Sequence, residues 1–143
     1  MDLGSTNSDV HPARKTEVGQ RLAYVAAAKI YGKDVEYSGP QVASAKPAGN
    51  VMKVTFKHDK GLSTTNGNAP TGFEIAGSNG KFEDATATLK GDTVELTAPG
   101  VKKPVKVRYG WKVYFEPNLV NEAKLPAVPY AGADSKKGKT GKK

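Results

Sequence analysis

The chain contains no cysteine, one tryptophan and two histidines among its 143 residues. The absence of thiols excludes a disulfide framework, a thiolate metal site and a cysteine nucleophile, and it leaves the cellular compartment open. Two histidines without suitably spaced carboxylates predict no metal site, and the lack of a glycine-rich phosphate loop predicts no cofactor. No apolar run approaches the roughly 20 residues of a membrane-spanning helix, and the first residues do not have the pattern of a signal peptide.

The chain has fewer acidic than basic residues, 14 against 22, which gives a formal net charge of +8. Five lysines stand in the last eight residues, and without them residues 1–135 keep 17 basic and 14 acidic residues, a net charge of +3. The Gly- and Lys-rich segment 131–143 has no aromatic residue and predicts a disordered tail. Such a tail binds phosphate backbones weakly and without sequence preference, so no specific nucleic-acid partner is expected.

One amphipathic helix is predicted near the start of the chain. Pro12 suits the first turn of a helix, where its missing N–H has no partner, and Gly32 suits the C-cap. The apolar face of this helix has to be buried, either against the rest of this chain or against a domain that the chain does not contain. From Ala13 to about Tyr31 the apolar residues recur at the spacing of one helical face: Val18, Leu22, Val25, Ala26 and Ile30.

The rest of the chain has the pattern of short β-strands separated by turns. Asn79-Gly80 is a strong hairpin signal, and the segment 47–50 predicts another turn. The segment 116–130, with three prolines and no periodicity, predicts an extended strap across a surface. About six strands indicate a mainly β fold, a small antiparallel β-sandwich. They are Gln41–Ala45, Val51–Lys57 with Met52, Val54 and Phe56 on one face, Phe73–Ala76, Ala85–Leu89, Thr93–Thr97 and Val105–Trp111.

Asp9-Val10-His11-Pro12 is the cluster with the residue types of an active site. A histidine at the start of a helix can act as a general base, and a nearby carboxylate can fix the orientation of its ring. The alternative is structural, because a serine or aspartate before a helix commonly serves as its N-cap, and Ser8 or Asp9 fits that role. Local sequence leaves both interpretations open.

The residues around this cluster resemble the last catalytic block, and the β region after it, of the sialate O-acetylesterases, which are SGNH-type carbohydrate esterases. The resemblance runs in order through about residues 2–130. It rests on these short motifs: Asp2-Leu3-Gly4, Asp9-Val10-His11-Pro12, Glu17-Val18-Gly19, Arg21-Leu22-Ala23, Tyr31-Gly32-Lys33-Asp34-Val35, Tyr37-Ser38-Gly39-Pro40, Gly72-Phe73-Glu74-Ile75-Ala76-Gly77, Asn79-Gly80-Lys81-Phe82, Gly91-Asp92, Pro104-Val105, Val107-Arg108-Tyr109, Asn118-Leu119, Leu125-Pro126-Ala127 and Pro129-Tyr130.

The resemblance implies a serine esterase that removes O-acetyl groups from sialic acids by means of a serine nucleophile, a histidine base and a carboxylate. On this chain it implies that His11 is the base and Asp9 its orienting partner. It also implies three regions: residues 1–36 as the end of the α/β SGNH-type catalytic domain with its last helix, 37–130 as a C-terminal β-sandwich domain, and 131–143 as the tail. Because the family is commonly secreted, periplasmic or lysosomal, a secreted or periplasmic location is expected.

The nucleophile and oxyanion hole of such esterases precede the histidine block, and no segment of this chain matches them. Gly77-Ser78-Asn79-Gly80 has a superficial likeness, but it is predicted in a hairpin turn, whereas a nucleophilic serine needs a strand-to-helix turn. We therefore expect the C-terminal portion of an esterase, with an upstream catalytic domain as its partner and without activity on its own. The second histidine, His58, is expected to be an exposed loop residue.

A second function class stays open, which is a non-enzymatic β-sandwich that binds carbohydrate or another partner and carries a basic tail. Its candidate surface is the aromatic cluster of Tyr109, Trp111, Tyr114 and Phe115, because aromatic faces stack on sugar rings. The alternative for this cluster is a domain-packing core. Trp111 and the segment 118–121 are interpreted as packing of the β domain onto the catalytic domain.

Overall fold

The computed structural model describes residues 14–132. Its helix, α1, spans Lys15–Lys29. Gly32 follows in the left-handed region at φ 61°, and the Lys33 amide behind it donates to the Ala27 carbonyl at 2.9 Å. The predicted end of the helix is therefore confirmed, with a glycine where an L side chain would be strained. The predicted start at Pro12 lies outside the described residues.

The described strands after α1 all pair antiparallel. They form a four-stranded sheet in the order β1-β2-β7-β6, a three-stranded sheet in the order β5-β4-β8, and a short pair, β3-β9. The predicted mainly β fold with one helix is confirmed. The strands are β1 (Gln41–Ala48), β2 (Val51–Lys57), β3 (Ser63–Thr64), β4 (Phe73–Ala76), β5 (Phe82–Asp84), β6 (Thr86–Lys90), β7 (Thr93–Thr97), β8 (Lys106–Tyr109) and β9 (Leu119–Val120).

The hydrophobic core takes side chains from both larger sheets, as expected of a sandwich. In β2 every second residue is buried, which confirms the alternation predicted from Val51 to Lys57. Strand β4 is buried along its whole length and is the central strand of its sheet. The fully or nearly fully buried core residues include Met52, Val54, Phe73, Ile75, Val94, Leu96, Val107, Tyr109 and Leu119.

Two local predictions are wrong. The turn predicted at 47–50 is shorter, because β1 continues through Pro47, which pairs with Met52. Strand β1 is the edge of its sheet, and an edge strand tolerates a proline since no neighbour needs the missing N–H. The predicted strap at 116–130 is not only a surface segment, because it forms β9 and buries Leu119 and Leu125.

One ion pair ties the three-stranded sheet together on the face turned away from the core. Glu74 and Arg108 stand opposite each other on β4 and β8, and Arg108 donates through Nε at 2.8 Å and Nη2 at 2.9 Å to the two carboxylate oxygens. The hydrogen bonding to Glu74 raises the pKa of Arg108, although burial acts in the opposite direction. The guanidinium also lies over the Phe82 ring, 4.1 Å from its centroid. The pair is bidentate and fixes the strand register.

Candidate functional site

The predicted catalytic pair, Asp9 and His11, lies outside the described residues. The description starts at Arg14, the N-cap of α1, whose side chain makes no capping hydrogen bond. The role of the two residues as orienting carboxylate and general base therefore stays a prediction. The alternative that Ser8 or Asp9 is the N-cap is wrong for α1, because Arg14 occupies that position.

An apolar cleft of about 360 Å³ lies between α1 and the β region. One wall is the helix and the other is built from the segment before β1 and from the strap. Three of its four helix residues, Val18, Leu22 and Val25, belong to the face that the periodicity predicts, and the fourth is Arg21. Its lining includes Val18, Leu22, Val25, Tyr37, Gly39, Leu125, Pro126 and Val128.

The apolar face of α1 is only partly covered by this cleft. No residue of the helix is buried, and Leu22 is 66% exposed while Ile30, just beyond the helix end, is 75% exposed. An apolar surface of this kind is unusual on an isolated soluble domain and is typical of an interaction site. The structure thus leaves the face predicted for burial largely open.

The segment that links α1 to β1 is fixed to the β region by a histidine–carboxylate pair. His58 Nδ1 lies 2.8 Å from Glu36 Oε1, and the same oxygen accepts the backbone amide of Tyr37 at 3.1 Å. The Tyr37 ring packs edge-on against the His58 ring at 5.1 Å and lies under the ammonium of Lys29 at 4.5 Å. His58 is therefore partly buried and paired, and the expectation of an exposed loop residue is wrong. Its backbone is left-handed at φ 56°, which turns the side chain back toward Glu36.

Asn121 connects the same linker to the strap. It is 1% exposed, and its amide donates to the Ser38 carbonyl at 2.8 Å and to the His58 carbonyl at 3.1 Å. Its own side-chain oxygen accepts the Leu125 amide at 3.1 Å. Asn121 thus satisfies three backbone groups from three separate segments.

Asn118 has a similar role on the loop before β4. Its side-chain oxygen accepts the Thr71 amide at 3.0 Å, and its amide donates to the Ala69 carbonyl at 2.9 Å. The interpretation of the segment 118–121 as a surface that packs onto another domain is therefore wrong, because both asparagines are buried and bonded within the β region. Buried amides satisfied in this way hold irregular backbone in place.

Ser78 lies in the predicted hairpin between β4 and β5. The Gly80 amide donates to the Gly77 carbonyl at 3.0 Å, and Gly80 is left-handed at φ 72°. The chain leaves this turn as strand β5, so the serine lacks the strand-to-helix turn of a nucleophile.

The aromatic cluster divides into a buried and an exposed half. Tyr109 is 1% exposed and packs against Phe73, with ring centroids 4.6 Å apart, and Phe115 meets Tyr109 edge-on at 5.8 Å. Trp111 and Tyr114 remain 57% and 53% exposed. Packing within the β region therefore accounts for two of the four rings and leaves the other two on the surface.

Among residues 14–132 no group of three or more histidine, aspartate or glutamate side chains is arranged to hold a metal ion. Within the same range α1, at 15 residues, is too short and too polar to cross a membrane.

Two of these arrangements have no signal in the sequence. The Glu36–His58 pair joins residues that stand 22 positions apart, and no motif links them. The three backbone bonds of Asn121 depend on how the strap folds back, which the proline pattern alone does not specify.

The chain was compared with protein-family models, curated proteins and solved structures. No protein-family model matches the chain, and no curated protein matches it. Among solved structures, it is similar to the crystal structure of a carbohydrate acetylesterase from Xanthomonas citri, with a TM-score of 0.84 and 37% sequence identity. The match covers 94% of this chain and 31% of that one. The chain is thus similar, in fold and in sequence, to about a third of the length of a carbohydrate acetylesterase.

Proposed function

We propose that this chain is the helix-and-β portion of a carbohydrate acetylesterase. The observation that carries the proposal is the match of 94% of the chain, at 37% identity, to part of the Xanthomonas citri carbohydrate acetylesterase. A sequence identity of 37% is stronger evidence than a shared fold alone, because one fold recurs among proteins of unrelated function.

The proposed division of labour follows the three regions of the chain. Residues 1–36 close an SGNH-type catalytic unit, 37–130 form the β domain, and 131–143 are a basic tail. The exposed apolar face of α1, from Val18 to Ile30, supports this division, since an open face of that kind requires a partner. In the proposal the partner is the catalytic unit that carries the serine nucleophile and the oxyanion hole.

His11 and Asp9 supply the proposed chemistry. The histidine removes the proton of the serine hydroxyl as that oxygen attacks the acetyl carbonyl, and it then returns the proton to the sugar oxygen that leaves. The carboxylate holds the ring and stabilises the imidazolium between these two steps. The substrate we propose is an O-acetylated sialic acid, on the basis of the sequence motifs.

To test this, the protein is expressed from its gene with a C-terminal affinity tag and is purified at the length that the cell produces. We expect this tagged gene product to release acetate. We expect it to hydrolyse O-acetylated sialic acid faster than acetylated xylan, as measured by enzyme-coupled acetate detection. The general activity is checked with p-nitrophenyl acetate. Hydrolysis of acetylated xylan alone would contradict the sialic-acid assignment and keep the esterase, whereas no hydrolysis of any acetyl ester would contradict both.

A second candidate function is carbohydrate binding without catalysis, and the exposed rings of Trp111 and Tyr114 favour it. The loop that carries them is held in place on both sides: Lys112 pairs with Asp84 at 2.7 Å, and the Gly110 amide donates to the Gly72 carbonyl at 3.0 Å. Because a pre-organised aromatic surface loses little entropy on binding, such a loop suits a sugar ring.

Binding at this loop has a direct spectroscopic test, because Trp111 is the one tryptophan of the chain. If the loop binds sugar, titration with soluble neutral polysaccharides will shift the tryptophan emission, and Tyr114→Ala will weaken the titration about tenfold by removing one stacked ring. Tyr24→Ala, a similarly exposed tyrosine on α1, is the matched control. An emission that stays constant up to saturating polysaccharide would eliminate the binding function.

A further inference from the structure

We propose that a second cleft, on the side of the β region formed by two loops, binds the carboxylates of an acidic glycan. The cleft has a volume of about 290 Å³ and lies between the β4–β5 hairpin and the loop that follows β7. The choice of a glycan rests on the proposed function, whereas the cleft and its charge do not. Its lining includes Ser78, Asn79, Lys81, Glu83, Lys102 and Lys103.

Both loops are fixed by backbone contacts, so the cleft is formed before any ligand arrives. In the hairpin, the Lys81 amide donates to Asn79 Oδ1 at 3.1 Å. In the second loop, the Val101 amide donates to the Ala98 carbonyl at 3.1 Å. Val101 and Pro104 are buried on either side of Lys102 and Lys103, so these two lysines extend from an anchored segment.

The net charge of the cleft lining is positive. Four lysines elsewhere in the described residues pair with carboxylates, namely Lys53, Lys60, Lys90 and Lys112. Lys81, Lys102 and Lys103 form no ion pair with any residue in 14–132.

The one acid among the lining residues offsets only part of this charge. A carboxylate oxygen of Glu83 accepts the Gly100 amide at 3.2 Å. Three lysines and one carboxylate leave the lining with a net charge of +2, and the cleft attracts negative charge.

The rest of the lining favours an acidic glycan, held by charge and hydroxyl contacts, over a single-stranded nucleic acid. Ser78 and Asn79 contribute short polar side chains that suit hydroxyl groups, and none of the residues that line the cleft is aromatic. Single-stranded nucleic acids are bound through stacking on aromatic rings as well as through charge. A glycan that carries one carboxylate per sugar ring needs only the hydroxyl-binding groups and the lysines present here.

The test is affinity electrophoresis of the purified chain in gels containing polygalacturonate, whose rings carry carboxylates. Gels with the fully methyl-esterified polymer have the same sugar chain without the charge. We expect retardation by the acid form and none by the ester. Replacing Lys81, Lys102 and Lys103 together by glutamine is expected to raise the apparent Kd for polygalacturonate about tenfold.

The matched control removes the same charge elsewhere, by Lys33→Gln, Lys46→Gln and Lys57→Gln. These lysines are exposed and lie outside the cleft. We expect the control triple variant to change the Kd less than about twofold. The comparison is repeated with glutamine for every lysine of the tail 131–143, and we expect the difference between the two triple variants to persist.

Three outcomes would overturn the proposal. Equal losses in the two triple variants would assign the binding to net charge, and tighter binding of duplex DNA than of polygalacturonate would assign the cleft to nucleic acid. No retardation by polygalacturonate would eliminate the glycan ligand. Acetate release is measured separately, on the tagged gene product with the same substitutions. Loss of glycan binding with normal acetate release would eliminate the cleft and keep the esterase, whereas loss of acetate release from the unsubstituted gene product would eliminate the esterase and leave the electrophoretic result unaffected.

Discussion

Replacing His11 by alanine is expected to lower kcat for acetyl-ester hydrolysis by about 10⁴-fold or more in the tagged gene product, with a much smaller change in KM. The reason is that a serine hydroxyl is a weak nucleophile until a base removes its proton. Binding of the acetylated sugar does not need that proton transfer, so the loss belongs in kcat. The measurement is initial-rate kinetics on p-nitrophenyl acetate and on O-acetylated sialic acid.

The chain offers its own matched control in its other histidine. His58→Asn removes an imidazole from a described site that pairs with Glu36, and asparagine tolerates the left-handed backbone found there. We expect kcat to change less than about threefold in this variant. A large loss in His58→Asn together with full activity in His11→Ala would reverse the assignment of the base.

The orienting role of Asp9 is tested by Asp9→Ser, because serine keeps a short polar side chain but cannot hold an imidazolium by charge. If Asp9 orients His11, Asp9→Ser lowers kcat by a smaller factor than His11→Ala and leaves the thermal stability unchanged. An unchanged kcat in Asp9→Ser would eliminate the orienting role.

The strands were predictable where hydrophobic alternation and turn residues agree. Val51–Lys57, Phe73–Ala76 and Thr93–Thr97 have the predicted bounds, because apolar residues alternate along each strand and a glycine, proline or asparagine stands at or near at least one of its ends. Pro47 misled the prediction, since a proline is incompatible with a central strand but not with an edge. Which strand lies at the edge depends on the order of the sheet, which local sequence does not contain.

The candidate functional residues were also predictable only in part. The motif around His11 is contiguous and could be recognised from sequence, whereas the Glu36–His58 pair and the lysines of the second cleft come from loops that are distant in sequence. Lys81 and Lys102 line the same cleft only because the hairpin before β5 lies beside the loop after β7. The composition places most of the excess positive charge in the tail. The structure adds a local cluster of positive charge at the second cleft, which the net charge of the chain does not reveal.

Asn121→Ala is expected to destabilise the β region by about 3 kcal/mol, which is large for one side chain. The substitution leaves the Ser38 and His58 carbonyls and the Leu125 amide without the bonds that Asn121 provides at 2.8 to 3.1 Å. Each unpaired group costs roughly 1–3 kcal/mol when water cannot reach it, and partial access of water reduces the sum. Because Ser38, in the linker after α1, and Leu125, in the strap, both line the cleft beside α1, we also expect that cleft to loosen.

Urea unfolding followed by circular dichroism measures the free energy of unfolding, and Asn68→Ala is the control. Asn68 is exposed, and its described hydrogen bond is through the backbone amide to Asn66, so we expect a change below about 0.5 kcal/mol. Asn121→Asp separates the two halves of the side chain, because it keeps the acceptor for the Leu125 amide and removes both donations to carbonyls. It is expected to be at least as destabilising as alanine near pH 7, since it adds a buried charge facing two carbonyl oxygens. Unfolding midpoints that match the wild type in both Asn121 variants would mean that the linker and the strap are held by the apolar contacts of Leu125 and Pro126 alone.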